Sequence, residues 1–138
     1  MINLIPNFQP FLALALIMPL LPIRKEFQYG LPIIALASYY LLSVGLDVAQ
    51  LGYFISMLFA TYIASKTTML KAYFISMFGY HILANLSHGN PFTIAALEFD
   101  ASTFTATAVY LTLFVMLNKT VNSQEGARQV WKKKFKPF

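Results

Sequence analysis

The chain has 138 residues, 58% of them hydrophobic, 16% aromatic and only 11% charged, with a net charge of +5. A soluble domain carries about 25% charged residues, so an ordinary water-soluble globule and a disordered tail are both excluded, and a membrane protein remains. The absence of cysteine excludes disulfides, thiolate metal sites, iron–sulfur clusters and cysteine nucleophiles.

A helix that crosses the hydrocarbon needs ~20 mostly apolar residues, with ~17 as a workable minimum. Charged residues punctuate the chain and divide it accordingly. Leu4 to Ile23 carries no charge, and Arg24, Lys25 and Glu26 follow it. This first segment has no basic residue before its apolar run and no small-residue cleavage site before Arg24, so it reads as a retained span rather than a signal peptide. Pro10, Pro19 and Pro22 predict a kinked helix there, because each removes a backbone donor.

Leu31 to Ser65 holds a single charge, Asp47. As one helix it would be ~52 Å long at 1.5 Å per residue, far more than the ~30 Å hydrocarbon core. It must turn back, and the turn chemistry sits at its midpoint. Gly45 can end one helix in a left-handed conformation, and Asp47 can cap the next with Gln50 at its third position. Pro32 suits the first turn of the earlier helix.

Lys66 and Lys71 bracket a polar link, and a fourth span follows. Asn90-Pro91 reads as a cap followed by proline at the first helical position. Phe92 to Phe99 is too short to cross and predicts an interfacial helix, after which Asp100 can cap the last span. The expected fold is therefore all-α, a multi-pass membrane bundle of about five transmembrane helices in residues 1–118. Its spans lie at about 4–23, 31–46, 48–65, 70–87 and 101–117, and a basic aromatic tail occupies 119–138.

Lysine and arginine favour the cytoplasmic side of a span. With five spans, all ten basic residues fall on one side, which places the amino terminus outside and the carboxyl terminus inside. The expected location is a bacterial cytoplasmic membrane, or a viral or organellar equivalent.

Gly52, Ser56, Ala60 and Ala64 recur every four residues on the third span and read as a helix-packing stripe. The stripe does not say whether its partner is internal or a second subunit. Tyr-Phe-Ile-Ser-Met occurs at Tyr53–Met57 and again at Tyr73–Met77, on spans that run antiparallel. Inverted repeats in transporters show such symmetry, but a five-residue match drawn from a narrow alphabet reads as coincidence.

His81, Asn85 and His88 share one face of the fourth span, with Asp47, Gln50, Glu98 and Asp100 at the same outer level. Imidazoles and carboxylates together suit a divalent metal such as zinc or copper, or a proton or ion path. Haem ligation at His81 or His88 would need facing histidines from a second chain. The favoured reading is plainer and expects no cofactor. Asp47 and Asp100 cap helices, His88 sits at the water boundary, and an interhelical hydrogen bond accounts for His81 and Asn85. No Gly-x-Ser-x-Gly, His-Glu-x-x-His or phosphate-cradling glycine loop is present, and none of the serine, threonine or histidine residues has a spacing that implies a nucleophile with its base, so an enzyme is not expected.

The tail places Arg128, Trp131, Lys132, Lys133, Lys134 and Lys136 together, after Lys119 and Glu125. Basic and aromatic residues just inside a membrane suit anionic lipid headgroups. The alternative partners are an acidic protein or nucleic acid, since phosphates reward lysine without sequence specificity. In size, span count and basic inner tail the chain resembles small accessory subunits of membrane complexes and, less closely, phage holins. The leading expectation is a non-catalytic subunit or scaffold that assembles with other membrane proteins or with itself. A small pore or transporter, or a structural protein of a membrane-containing virus with its tail toward nucleic acid, are the alternatives.

Overall fold

A computed structural model describes residues 10–86 and 93–134, with side chains in the last helix described as far as residue 123. Among the described residues five α-helices form a bundle: α1 Phe11–Ile17, α2 Lys25–Ser43, α3 Leu51–Lys66, α4 Met69–Leu86 and α5 Ile94–Lys134. Among the described residues there is no strand. Two stretches are long and apolar enough to cross a membrane, Val48–Lys66 and Ile94–Ser123, each with a mean hydropathy of 1.4. Lys71, His81 and Asn85 dilute the hydropathy of α4, and Lys25 and Glu26 that of α2.

α1 sits at the centre, packed against α2, α3 and α5, with Leu12, Ala13, Ala15, Leu16 and Ile17 buried. Its α-helical turn stops where the prolines predict. Pro19 has no N–H to offer the carbonyl of Ala15, and the chain tightens into a 3-10 turn over Met18–Leu20 before extending at Leu21. The stranded carbonyl is met from another helix. The Thr61 hydroxyl on α3 lies 3.0 Å from Ala15 O and 3.1 Å from Met57 O, and donates to this pair of acceptors. Thr61→Val keeps the shape but removes that donor from a residue that is 1% exposed. It is expected to cost about 1–3 kcal/mol, read as a lower unfolding midpoint in detergent micelles.

α2 begins earlier than its hydropathy suggests. Arg24 is its N-cap and Glu26 lies in its first turn, where a carboxylate complements the helix dipole. Pro32 therefore falls inside the helix instead of its first turn, a correction to the sequence reading. The helix tolerates it because the ring is fully buried against the bundle, offsetting the lost hydrogen bond.

The α2–α3 turn forms as its residues predict. Gly45 adopts φ +84° and its N–H donates to Tyr40 O at 2.6 Å, closing α2. The Asp47 N–H donates to Gln50 Oε1 at 3.2 Å, one half of the capping box, and Gln50 Nε2 donates to Gly45 O at 3.1 Å. A Cβ at Gly45 would meet nothing within 4 Å, so only backbone strain opposes a side chain there. Gly45→Ala is expected to lose about 1–2 kcal/mol, whereas D-alanine introduced by peptide ligation should not, and the two unfolding midpoints give the comparison.

α5 departs most from expectation. The interfacial helix expected before residue 100 and the cap expected at Asp100 do not form. A single helix starts at Ile94, with the Ala96 N–H donating to Thr93 Oγ1 at 3.2 Å, and continues through the last apolar stretch into the basic segment. No glycine or proline stands between Thr93 and Asn118 to interrupt it.

The core is apolar, built on Leu12, Leu16, Ile17, Leu36 and Met57, but it also takes in polar side chains, and the exterior is apolar too. Among its largest fully buried side chains are Thr61, Thr107, Asp100, Ser56 and Ser76, whereas Leu42 is 89% exposed and Val48 81%. Phe27, Ile34, Leu41, Phe74, Phe78, Leu113 and Leu117 also face outward. Buried threonines satisfy themselves within their own helices, as when Thr107 Oγ1 donates to Thr103 O at 2.7 Å.

Candidate functional site: a polar seam between α4 and α5

α3 and α4 form the most extensive helix pair, and the small-residue stripe is its contact face. Gly52, Ser56 and Ala60 are buried and Ala64 is half-buried. The stripe's partner is therefore internal: a Cβ at Gly52 would stand 2.2 Å from the carbonyl oxygen of Leu83 on α4. The Tyr-Phe-Ile-Ser-Met copies occupy matching positions in this antiparallel pair. Ser56 and Met57 are buried, as are Ser76 and Met77, while Ile55 and Ile75 are both exposed. Matching burial needs no common origin, because two helices packed on each other through small residues repeat the same periodicity.

The close α3–α4 contact fixes the face that α4 turns toward α5. On that face His81 Nδ1 makes a close hydrogen bond to Asp100 Oδ2. Asn85 Nδ2 donates to the same oxygen at 3.0 Å and to His81 O, one turn back, at 2.7 Å. Asp100 is 2% exposed and Asn85 6%, and the His81 side chain is 13% exposed. Two donors thus converge on one carboxylate oxygen, and among the described residues the other, Oδ1, has no partner.

Aromatic rings seal the seam. Tyr53 packs on Tyr80 and Phe99 at centroid distances of 5.9 and 6.4 Å, and Tyr80 meets Phe104 edge-on at 6.4 Å. A second link across the helices is the Tyr73 hydroxyl, which donates to Phe104 O at 2.9 Å. Nearby, a cavity of about 20 Å³ between the helices is lined in part by Tyr40, Tyr53, Tyr80 and Thr103, room for about one water molecule.

The structure thus joins His81 and Asn85, as the sequence reading paired them, and supplies as their partner Asp100, which that reading spent as a cap. Asp47 does not join them: it is exposed at the α2–α3 turn, beside a groove formed with Leu46, Val48, Leu51 and Phe54. Glu98 is exposed on α5. His88 lies outside the described residues, as does Lys136, while Arg128, Trp131, Lys132, Lys133 and Lys134 fall in the distal part of α5. Among the described residues no three His, Asp or Glu side chains converge as metal ligands would. The sequence signal that marks Asp100 is its place as the one charge inside an unbroken apolar helical stretch from Phe99 to Asn118.

Comparison of the chain with protein-family models, with curated proteins and with solved structures gives no match in any of the three.

Proposed function

We propose that this chain is a non-catalytic, multi-pass integral membrane protein that acts as a subunit or scaffold, assembling with other membrane proteins or with copies of itself. The apolar exterior supports the membrane reading, since lipid, unlike water, leaves exposed leucine and phenylalanine without penalty. Orientation follows the basic residues. Arg24 and Lys25 precede α2, Lys66 and Lys71 flank the α3–α4 turn, and Lys119 follows the apolar part of α5. That end of the bundle is the inner side on the positive-inside rule.

The observation that carries assembly is on α5. The stripe on α3 is consumed inside the bundle, but Ala101, Thr105, Ala108 and Thr112 form a second small-residue row that is exposed. Thr105 and Thr112 donate to Ala101 O and Ala108 O, each at 2.8 Å, so the row carries no unmet hydroxyl donor. Small rows of this kind let helices approach closely in lipid. Native mass spectrometry from mild detergent and from nanodiscs tests the proposal. Species larger than the monomer, weakened by Ala108→Leu, are expected; a strictly monomeric, partner-free chain in both media overturns it.

The His81–Asp100 pair favours a second reading, a small pore or transporter, because ionisable groups in membrane helices commonly mark ion or proton paths. That reading expects flux through proteoliposomes which Asp100→Asn reduces. Vesicles that stay tight at high protein density remove it.

A further inference from the structure

α5 is 41 residues long, ~60 Å at 1.5 Å per residue, about twice the ~30 Å hydrocarbon core. Among its described side chains the last buried one is Leu111, and those from Lys119 to Ser123 are all exposed. The helix itself continues eleven residues further, to Lys134. Counted along a straight helix, Arg128 stands ~14 Å and Lys132 ~20 Å beyond Lys119. Surface charges are screened within ~8 Å at physiological salt, so an upright helix would hold its basic block out of reach of the headgroups.

The sequence of this last part suits a different posture. At 100° per residue Ala127, Val130 and Trp131 share one face, with Arg128 and Lys132 on one flank and Lys133 on the other; Lys134 falls within the face at the end of the helix, where a long aliphatic stem lets an ammonium reach the headgroups. A basic helix with an aromatic apolar face lies in the headgroup plane. One residue before that segment stands Gly126, the first glycine after Gly89 and the residue least committed to continuing a helix. Glu125, the only acidic residue of the last twenty, lies on the bundle side of it.

We infer that α5 bends at Gly126 and that residues 127–134 lie on the anionic inner surface of the same membrane, as an arm that is flat on acidic lipid and upright without it. The inference rests on the reading that α5 crosses the bilayer. Each basic residue brought to an acidic surface favours the flat state by roughly fivefold, while Gly126→Ala favours the unbroken helix by a comparable factor.

Trp131 is the only tryptophan in the chain, so the full-length protein carries its own probe. It is reconstituted into vesicles of phosphatidylcholine, with and without phosphatidylglycerol, in which the phosphatidylcholine chains are brominated. Loss of most of the Trp131 emission is expected in the acidic vesicles at low salt. Recovery is expected in molar salt, where the screening length falls to ~3 Å, and partial recovery in Gly126→Ala. Unquenched emission in the acidic vesicles overturns the arm, and so does emission that responds to added nucleic acid alone. Equal quenching without acidic lipid overturns the charge dependence, and quenching unchanged in Gly126→Ala overturns the hinge. A chain that fails to float with vesicles after alkaline carbonate treatment removes the membrane reading itself, and the arm with it; one that floats but is unquenched removes the arm alone.

Discussion

Replacing His81 with leucine is expected to destabilise the bundle by about 2–3 kcal/mol, the upper range for leaving a buried polar group without its hydrogen-bond partner. Without the imidazole, Asp100 keeps only the Asn85 amide as a donor on Oδ2, and Oδ1 has none among the described residues. A carboxylate that is 2% exposed cannot recruit water in compensation without opening the seam. Asp100→Leu leaves the less buried His81 behind and should cost less. The double replacement His81→Leu/Asp100→Leu should recover most of the loss, because two apolar groups leave no buried polar atom without a partner. Unfolding of the four proteins in mixed micelles closes the cycle. A His81→Leu protein within 1 kcal/mol of the parent would show that α4 and α5 do not meet through this pair.

The second large effect is at Gly52, where Gly→Ala is expected to cost about 3 kcal/mol, the upper end of the range for overpacking. Glycine inside a helix is normally worse than alanine by about 1 kcal/mol, so a helix considered alone predicts the opposite sign. What decides is the obstacle: the added methyl would lie 2.2 Å from the Leu83 carbonyl oxygen and 3.2 Å from Ala84 Cα, both backbone atoms that cannot swing aside. The glycine hydrogen in that position points instead at the carbonyl, a contact that weakly favours close helices. Gly30, inside α2, is the matched control, since a Cβ there meets nothing within 4 Å. Gly30→Ala should stabilise by up to about 1 kcal/mol. Helix content by circular dichroism, followed through denaturation in the same detergent, measures both, and equal signs for the two substitutions would refute the α3–α4 contact.

The two positions also show where sequence reasoning reaches. Periodicity identified Gly52, Ser56, Ala60 and Ala64 as a contact row, because a four-residue spacing maps onto one helical stripe whatever the fold. Nothing in the row says what it touches. Gly45, Asp47 and Gln50 were legible in full, since a left-handed glycine and a capping carboxylate act within a few residues of themselves. Asp100 was misassigned for the same reason. Its chemistry allows a local cap, and the sequence does not disclose that a histidine nineteen positions earlier is its neighbour. The unbroken α5 was readable from the lack of glycine and proline after Thr93, a signal outweighed by the acidic residue within it.

By itself, the sequence determined that the chain is helical and apolar, where its α2–α3 turn forms, where its first helix breaks, and how its charge is divided. Residues 1–118 hold four basic and four acidic groups, and residues 119–138 hold six and one, so the whole +5 belongs to the last twenty residues. These are local properties, set by backbone geometry, caps and hydropathy over a turn or two. Only the tertiary structure decided that α1 is the centre of the bundle, that Thr61 serves the carbonyl left open by Pro19, that the α3 stripe is spent on α4, and that His81, Asn85 and Asp100 form one seam. Each of these joins residues far apart in the chain, where short-range periodicity carries no information and packing alone selects the partner.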